Sequence, residues 1–239
     1  MYHNHRYLQL LDTPKIPEDA LNRLFDALKV DATIKYLRAD SFSWSLESIK
    51  SFAEFFKDLL CRITGISFIN ALNDVNKIDV LLDALGVNGT IENIKLAHNY
   101  LRDKGLDRLI DNLSKKSIKT LELQNTNIRL DNGIINNFIK FLKESNTEAL
   151  DISSNPITQE NLIKLLEDIK ETKISDLDIS GIFFDNVNVP ALSSFVKNTK
   201  LAGLNFSLST EVSEESKKAL SDAIKENKSL IGCNILVIR

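Results

Sequence analysis

The chain has 239 residues, of which 30 are Lys or Arg and 33 are Asp or Glu, so its formal net charge at pH 7 is −3. This mild acidity argues against general nucleic-acid binding, which requires a basic face, and no apolar run approaches the ~18 residues that a membrane span needs. The 2 cysteines are too few for a disulfide framework or a metal cluster, and with a start that does not fit a signal peptide they favour a reducing, cytoplasmic location.

The predicted elements alternate between strand and helix from the start of the chain. The first strand is expected at residues 7–10. A helix begins after Pro17, because proline and acidic residues are typical of a first helical turn. The second strand is expected at residues 36–39 and the third at residues 65–68. The two helices that follow these strands are expected at residues 46–60 and 77–85.

The fourth repeat shows most clearly what one unit contains. Residues 91–101 read Ile-Glu-Asn-Ile-Lys-Leu-Ala-His-Asn-Tyr-Leu, which fits L-x-x-L-x-L-x-x-N-x-L with isoleucine at two leucine positions. Ile94 and Leu96 alternate with polar residues, as in a strand with one buried face. The amide of Asn99 is expected to hydrogen-bond the backbone where the chain turns. Apolar residues then recur at helical spacing over residues 106–113.

Later repeats continue the alternation to the end of the chain. The remaining strands are expected at residues 120–123, 149–152, 176–179, 203–206 and 233–238. The remaining helices are expected at residues 134–143, 162–169, 191–197 and 214–225. The sixth repeat is another close match to the signature, and Asn155 takes the place of Asn99 there, whereas the seventh has a looser turn through Phe183, which we expect outside the core.

One core position recurs in every repeat at intervals of 27 to 29 residues. It is occupied by Leu8, Leu37, Ile66, Ile94, Leu121, Leu150, Leu177, Leu204 and Cys233. No single repeat can bury its apolar face alone, so the repeats must stack, and we predict one domain over residues 1–239. Cys233 is therefore expected to be a buried free thiol, and Trp44 is expected to pack in the core.

These repeats resemble the ribonuclease-inhibitor-like class of leucine-rich repeat proteins over essentially the whole chain. The resemblance implies an α/β solenoid shaped like a horseshoe, with a parallel β-sheet on the concave face and α-helices on the convex face. About eight repeats and a terminal strand are expected. Such proteins mostly bind other proteins on the concave face. Small members also occur as secreted effectors of intracellular bacteria, which would place this chain in a host cytoplasm.

Polar residues at concave positions are predicted to form two patches. Aromatic and basic residues lie at the first end, and acidic residues lie on the middle and late strands with no obvious basic neighbour. Like charges on adjacent strands cost stability, so we interpret the acids as a docking site for a basic protein surface, with Tyr7 and Tyr36 as anchors of a separate patch. The alternative is a solvated face whose charges have drifted. The candidate partner-binding residues are Tyr7, Tyr36, Arg38, Lys95, His98, Glu122, Glu148, Asp151, Asp176 and Asp178.

Three apolar residues at concave positions, Leu11, Ile69 and Leu208, are expected to be exposed and are further candidate contacts. Single exposed apolar residues are normal on a protein surface, however, so their exposure does not require a functional explanation.

Catalytic chemistry is not indicated. No set of nucleophile, base and orienting group is readable around His98. Asp151 and Asp178 imitate a carboxylate pair, but on an open surface that does not exclude water. We therefore predict a non-catalytic protein–protein interaction module that acts as an adaptor, inhibitor or effector and needs no metal or other cofactor. The resemblance also allows a regulator of a small GTPase, of the GTPase-activating type, although the acidic tail of those activators is absent.

The final strand is predicted to have no helix after it, and an exposed sheet edge invites pairing. Three explanations are open: the helix of the eighth repeat covers this strand, the protein is a weak dimer through it, or the chain is a fragment.

Overall fold

The computed structural model describes residues 6–10, 16–131 and 133–238, and for Ile238 the backbone alone. These residues form one sheet of 9 parallel strands in chain order, and a helix follows each of the first 8 strands. The strands are β1 (Arg6–Gln9), β2 (Ile34–Arg38), β3 (Gly65–Ser67), β4 (Asn93–Lys95), β5 (Thr120–Glu122), β6 (Ala149–Asp151), β7 (Asp176–Phe184), β8 (Gly203–Ser209) and β9 (Gly232–Ile238). The helices are α1 (Glu18–Val30), α2 (Leu46–Lys57), α3 (Val75–Val87), α4 (Arg102–Leu113), α5 (Ile134–Glu144), α6 (Gln159–Ile169), α7 (Val189–Asn198) and α8 (Glu214–Glu226).

The register of the sheet follows the repeat of the sequence. Ile94 pairs with Ile66 on one side and with Leu121 on the other, and the same column continues from β1 to β9. Parallel strands lie about 4.8 Å apart, whereas packed helices need roughly 8–10 Å, so the stack must bend with its strands on the inside. The structure confirms the α/β leucine-rich repeat solenoid.

The core is one continuous cluster whose chemistry changes along the chain. In the first three repeats it is aromatic: the ring of Trp44 stacks on Phe68 with centroids 5.2 Å apart, and Phe52 stacks on Phe56 at the same distance. Leu and Ile dominate in the later repeats. Trp44 is 2% exposed, which confirms its predicted place in the core.

Two buried asparagines join consecutive repeats, as the signature predicts. Oδ1 of Asn99 accepts hydrogen bonds from the backbone nitrogens of Ala71 and Leu72, at 3.1 and 2.7 Å, and its Nδ2 donates to the carbonyl of Phe68 at 2.6 Å. Asn155 makes the equivalent contacts in the sixth repeat. A buried backbone group without a partner costs about 1–3 kcal/mol, so each amide stabilises the turn of the repeat before its own.

A second set of amides, which the sequence analysis missed, lies just after the helices. Nδ2 of Asn88 donates to the carbonyl of Phe56 at 2.7 Å. Likewise, Nδ2 of Asn227 donates to the carbonyl of Val196 at 2.6 Å. The available signal was that Asp31, Asp58, Asn88 and Asn227 each follow a helix directly.

A left-handed residue stands four positions after the first core residue in repeats two to seven. Their φ angles range from +50° to +73°. These residues are Ser41, Asn70, His98, Asn125, Ser154 and Gly181. The backbone nitrogen of His98, for example, donates to the carbonyl of Gln124 on the next repeat at 2.8 Å. Glycine and polar residues such as asparagine and histidine adopt this backbone more readily than β-branched residues do, and this column contains no β-branched side chain.

Several predicted boundaries differ from the structure. Helix α2 ends at Lys57 rather than at residue 60. Strand β7 runs to Phe184 rather than to residue 179, because an irregularity between Ile179 and Phe183 lets it pair again with β8. Phe183 itself is exposed, as predicted.

Two predictions of burial are wrong. Leu208 was expected to be exposed, but it is 3% exposed because β8 continues past it and pairs it with Phe184. Cys233 was expected to be buried, but its burial is only partial, because no helix in the described part of the chain lies over β9. Ile69 is half-buried, and Leu11 lies outside the described residues.

Candidate protein-binding surface

The aromatic residues at the first end of the concave face differ in their surroundings. Tyr7 on β1 is 65% exposed. Tyr36 on β2 instead lies flat over Gly65 of the neighbouring strand, so that a methyl group at Gly65 would come within 2.3 Å of its ring carbons. Tyr36 is therefore half-buried, because Gly65 has no side chain that would displace its ring. Of these two tyrosines, Tyr7 is the one that is largely exposed to solvent.

The positive charge of Arg38 is balanced locally. Its Nε contacts Oδ2 of Asp40 at 2.5 Å. The other oxygen of Asp40 accepts hydrogen bonds from Oγ of Ser67 and, at 3.0 Å, from the backbone nitrogen of Ile69. The first end of the face is thus less basic than the sequence indicates.

The middle of the face carries an ion pair that the sequence analysis missed. Nζ of Lys95 on β4 lies 2.5 Å from Oε1 of Glu122 on β5. The prediction that the acidic residues have no basic neighbour is therefore wrong at Glu122. Nearby, the ring Nδ1 of His98 lies 3.0 Å from Nδ2 of Asn125, in the left-handed column described above.

The next two strands hold carboxylates that are bound only by neutral groups. Oδ1 of Asp178 accepts hydrogen bonds from the backbone nitrogen and hydroxyl of Ser180, at 2.9 and 2.6 Å, and its Oδ2 accepts from Nδ2 of Asn205 at 2.8 Å. Oδ1 of Asp151 accepts from the backbone nitrogen of Ser153 at 2.9 Å. Within the described ranges, neither carboxylate forms an ion pair.

Asp151 lies in an unfavourable place for a negative charge. Its partial burial raises the pKa of its carboxyl group, and the charges of Asp178 and Glu122 on the flanking strands raise it further. The hydrogen bonds from Ser153 oppose that rise in the pKa but do not cancel it. The ionised form of Asp151 is thus destabilised by lost hydration and by like charge.

The acids lie around a shallow, open depression of about 340 Å³ in the concave face. Its floor is low where Ala149, Gly203 and Gly232 leave space in one column, and the carboxylate of Asp176 bends over Gly203, where a methyl group would come within 2.4 Å of Oδ1. The lining residues are Glu122, Ala149, Leu150, Asp151, Asp176, Leu177, Asp178, Gly203, Leu204, Asn205, Gly232 and Asn234. We call this feature the acidic depression; four of its lining residues are acidic and none is basic.

The predicted site residues thus separate into groups. Glu122, Asp151, Asp176 and Asp178 meet around the acidic depression, while Glu148 is exposed in a neighbouring row and does not line it. The remaining candidates lie on β1, β2 and β4 or in the loop after β4. The sequence signal for the depression was the column of small residues beside the acids, which the repeat pattern alone does not single out.

Two kinds of feature are absent from the described residues. No three His, Cys, Asp or Glu side chains among them are grouped so that they could hold a metal ion. No helix in the same ranges combines the length and the apolar character that crossing a membrane requires.

Comparison with known proteins identifies the fold through solved structures. No family model matches the chain, and no curated protein matches its sequence. The leucine-rich repeat-containing protein LegL7 from Legionella pneumophila matches 97% of this chain over 91% of its own, at 14% identity and a TM-score of 0.51. A protein from Bacteroides fragilis matches 92% of this chain over 72% of its own, at 16% identity and a TM-score of 0.53.

A chain from the yeast complex of Rad7 and Elc1 matches 96% of this chain over 69% of its own, at 14% identity and a TM-score of 0.52. Identities this low establish a shared fold and leave function open. Together with the register of the sheet and the alternation of strands and helices, they show that the chain has the leucine-rich repeat fold.

Proposed function

We propose that this protein is a non-catalytic interaction module whose acidic depression binds a basic segment of a protein partner. The observation that carries the proposal is the lining of the depression, which contains Glu122, Asp151, Asp176 and Asp178 and no Lys or Arg. The only acid of the four with an ion pair is Glu122, at the rim next to Lys95. Three carboxylates within the described site therefore remain available to cations.

The electrostatics of the free protein support a cationic ligand. Asp151 is raised in pKa by burial and by two flanking carboxylates, so its negative charge is destabilised in the absence of a partner. A Lys or Arg side chain placed between Asp151 and Asp178 would reverse that effect, because an opposite charge within about 4–6 Å favours the ionised form. Binding would then lower the pKa of Asp151 and release protons near that pKa.

The shape of the site suits a side chain on an extended segment. The depression is shallow and open to solvent, and Ala149 and two glycines line it, so it does not enclose a small molecule. The surrounding rows offer acceptors from carboxylates and from the amides of Asn205 and Asn234. An Arg guanidinium, which presents five donors in a planar fork, matches such a set of oxygen acceptors.

A direct test uses two synthetic peptides with the same length and opposite charge, one rich in Arg and Lys and the other rich in Glu. We expect the basic peptide to bind in fluorescence anisotropy, with an affinity that falls as ionic strength rises, and the acidic peptide not to bind. The double variant Asp151→Asn with Asp178→Asn should weaken binding of the basic peptide at least about tenfold, since each close charge pair is worth on the order of 1 kcal/mol or more.

The matched control removes two negative charges elsewhere. Asp79→Asn with Asp83→Asn changes the net charge by the same amount on α3, where both carboxylates contact Arg108 at 2.6 Å. This control should bind the basic peptide as the parent protein does. Equal weakening by both double variants would reduce the effect to net charge and overturn the proposed site.

Tyr7, Tyr36, Arg38, Lys95, His98 and Glu148 remain predicted contacts outside the depression. We rank Tyr7 first among them because its ring is 65% exposed, whereas Tyr36 packs on Gly65 and Arg38 is paired with Asp40. A partner that spans the whole face would contact both Tyr7 and the acidic depression.

A further inference from the structure

The last strand of the sheet presents an open, apolar edge. Strand β9 pairs with β8 along one side, and no described strand pairs with its other side. Its 7 residues, from Gly232 to Ile238, include no charged residue and no proline. Charges, prolines and short length are the usual devices that keep an edge strand from pairing, and β9 has none of them.

Residues of β9 that occupy core positions are not covered. Ile235 is 42% exposed and Val237 is 56% exposed, whereas Leu204 and Phe206 on β8 are at most 1% exposed. The cause is the absence of a helix over β9 in the described chain: α8 packs against α7 and buries only Leu220 and Ala223. An apolar ledge made by Cys233, Ile235 and Val237 is left beside α8.

The backbone groups of the same residues point away from the sheet. The nitrogen of Gly232 donates to the carbonyl of Ala202 at 2.9 Å, so Gly232 faces β8. Because successive residues of a strand alternate in direction, the N–H and C=O groups of Cys233, Ile235 and Val237 face outward. Strand β9 therefore exposes apolar side chains and unpaired backbone groups at the same three residues.

We propose that two copies of this chain pair through β9 in antiparallel orientation, with Ile235 on the two-fold axis. In that register Ile235 faces the same residue of the second copy, and Cys233 faces Val237. All three pairs are of the hydrogen-bonded type, because these are the residues whose backbone groups point outward. The same register joins the two apolar ledges into one continuous surface, so the backbone and the side chains favour a single arrangement.

Strand β9 of a second copy is a better pairing partner for β9 than strand β1 of a second copy, which lies at the opposite edge of the sheet. Strand β1, at the opposite edge, contains the charged Arg6 among its described residues, and a charged residue on an edge strand disfavours pairing. Electrostatic repulsion does not oppose the two-fold dimer: five strand spacings of about 4.8 Å separate the Asp178 carboxylates of the two copies, well beyond the ~8 Å screening length at physiological salt.

Strand pairing and a ledge of this size form a small interface, so we expect a weak dimer whose population depends on protein concentration.

The test measures the mass of the full chain by sedimentation velocity and light scattering, from low micromolar to several hundred micromolar protein. The parent chain should rise from 26.9 kDa toward twice that value. Ile235→Lys alone and Ile235→Glu alone should each remain monomeric, because like charges meet at the axis. An equimolar mixture of the two variants should recover the doubled mass, because opposite charges then meet there.

Two further variants separate the register from general effects. Ile235→Pro removes one outward N–H and leaves the bonds to β8, so it should prevent dimerisation while the far-UV circular dichroism stays unchanged. Leu59→Lys replaces a leucine that is 92% exposed after α2, far from β9, and should dimerise as the parent does. Hydrogen exchange of the amides of Cys233, Ile235 and Val237 should slow as concentration rises.

The proposal is overturned if the parent chain keeps the mass of one copy at every concentration. It is equally overturned if Ile235→Lys or Ile235→Pro still dimerises, or if the mixture of oppositely charged variants stays monomeric. Loss of the dimer in Leu59→Lys would assign the contact to another surface. These outcomes concern β9 and are independent of the binding test on the acidic depression.

Discussion

A single carboxyl group, Asp151, links the stability of the protein to its proposed function. Its pKa is raised by burial and then by Asp178 and Glu122, so folding costs more when Asp151 is ionised than when it is protonated. That cost is fully present above the raised pKa and is relieved as the pH falls toward the value of the unfolded chain. The proposed binding of a basic segment would offset this cost, because an opposite charge beside Asp151 favours its ionised form.

We therefore expect Asp151→Asn to stabilise the free protein at neutral pH. Removing one charge from three adjacent carboxylates should raise the free energy of unfolding by roughly 0.5 kcal/mol, the size of a cross-strand like-charge effect. The gain should shrink as the pH falls and vanish well below the ordinary aspartate pKa of about 3.9, where Asp151 is protonated in both the folded and the unfolded state. Urea unfolding of both proteins at several pH values measures this difference. A loss of stability at neutral pH would show that the hydrogen bonds from Ser153 outweigh the repulsion.

At the scale of the strand and its turn, backbone conformation explains residues that first suggested function. His98 was a candidate contact because it is polar and concave, yet its φ of +59° places it in the left-handed column with Ser41, Asn70 and Ser154. Its ring also contacts Asn125 rather than a catalytic partner. The residue type at this position is accounted for by the turn, whatever its further role in binding.

Because of this turn, we expect glycine to be tolerated better than valine at position 98, which is the reverse of their usual ranking in a strand. His98→Gly should leave the free energy of unfolding within about 1 kcal/mol of the parent, because glycine adopts a positive φ without strain. His98→Val should lower it by about 1–2 kcal/mol, because a β-branched residue resists that conformation. The same pair of changes at Thr120, on an ordinary strand, should show the opposite order. Thermal unfolding of the four variants decides between a backbone role and a side-chain role for His98.

Element positions were largely predictable from the sequence because each repeat is locally self-consistent: alternation marks β4 or β6, and helical spacing marks α4 or α6. The extension of β7 to Phe184 was not predictable, since it depends on pairing with β8 after an irregularity. The acids were predicted as a cluster, but the pairing of Glu122 with Lys95 and the depression beside Gly203 depend on side-chain directions. Which acids lack a cation is information that only three-dimensional contacts supply.

At the scale of the whole molecule, one uninterrupted core runs from Leu10 to Ala223, although it is aromatic at one end and aliphatic at the other. The single Trp of the chain, Trp44, lies within the aromatic end against Phe42, Phe52 and Phe68. Its fluorescence therefore reports on the first repeats alone, while circular dichroism reports on every helix. A role of this protein as a regulator of a small GTPase remains a prediction, and GTP hydrolysis assays with small GTPases would test it.

We expect a substitution in the eighth repeat to shift the unfolding transition that Trp44 fluorescence reports. Phe206 is fully buried, and Phe206→Ala should destabilise the protein by roughly 3–5 kcal/mol through the cavity that it leaves. Because neighbouring repeats share one core, Trp44 fluorescence and circular dichroism should shift to lower urea by the same amount. The parent protein, in which the two signals should coincide, is the reference. An unmoved fluorescence transition would mean that the aromatic repeats unfold as a separate unit.

The direction of the asparagine contacts has a consequence for how the chain is made. Asn88, Asn99, Asn155 and Asn227 each donate to a carbonyl of the repeat that precedes their own. On a ribosome, where the amino terminus emerges first, the buried carbonyls of one repeat can receive these hydrogen bonds only after the next repeat has been synthesised. The folded part of the chain therefore ends about one repeat before the growing end throughout translation.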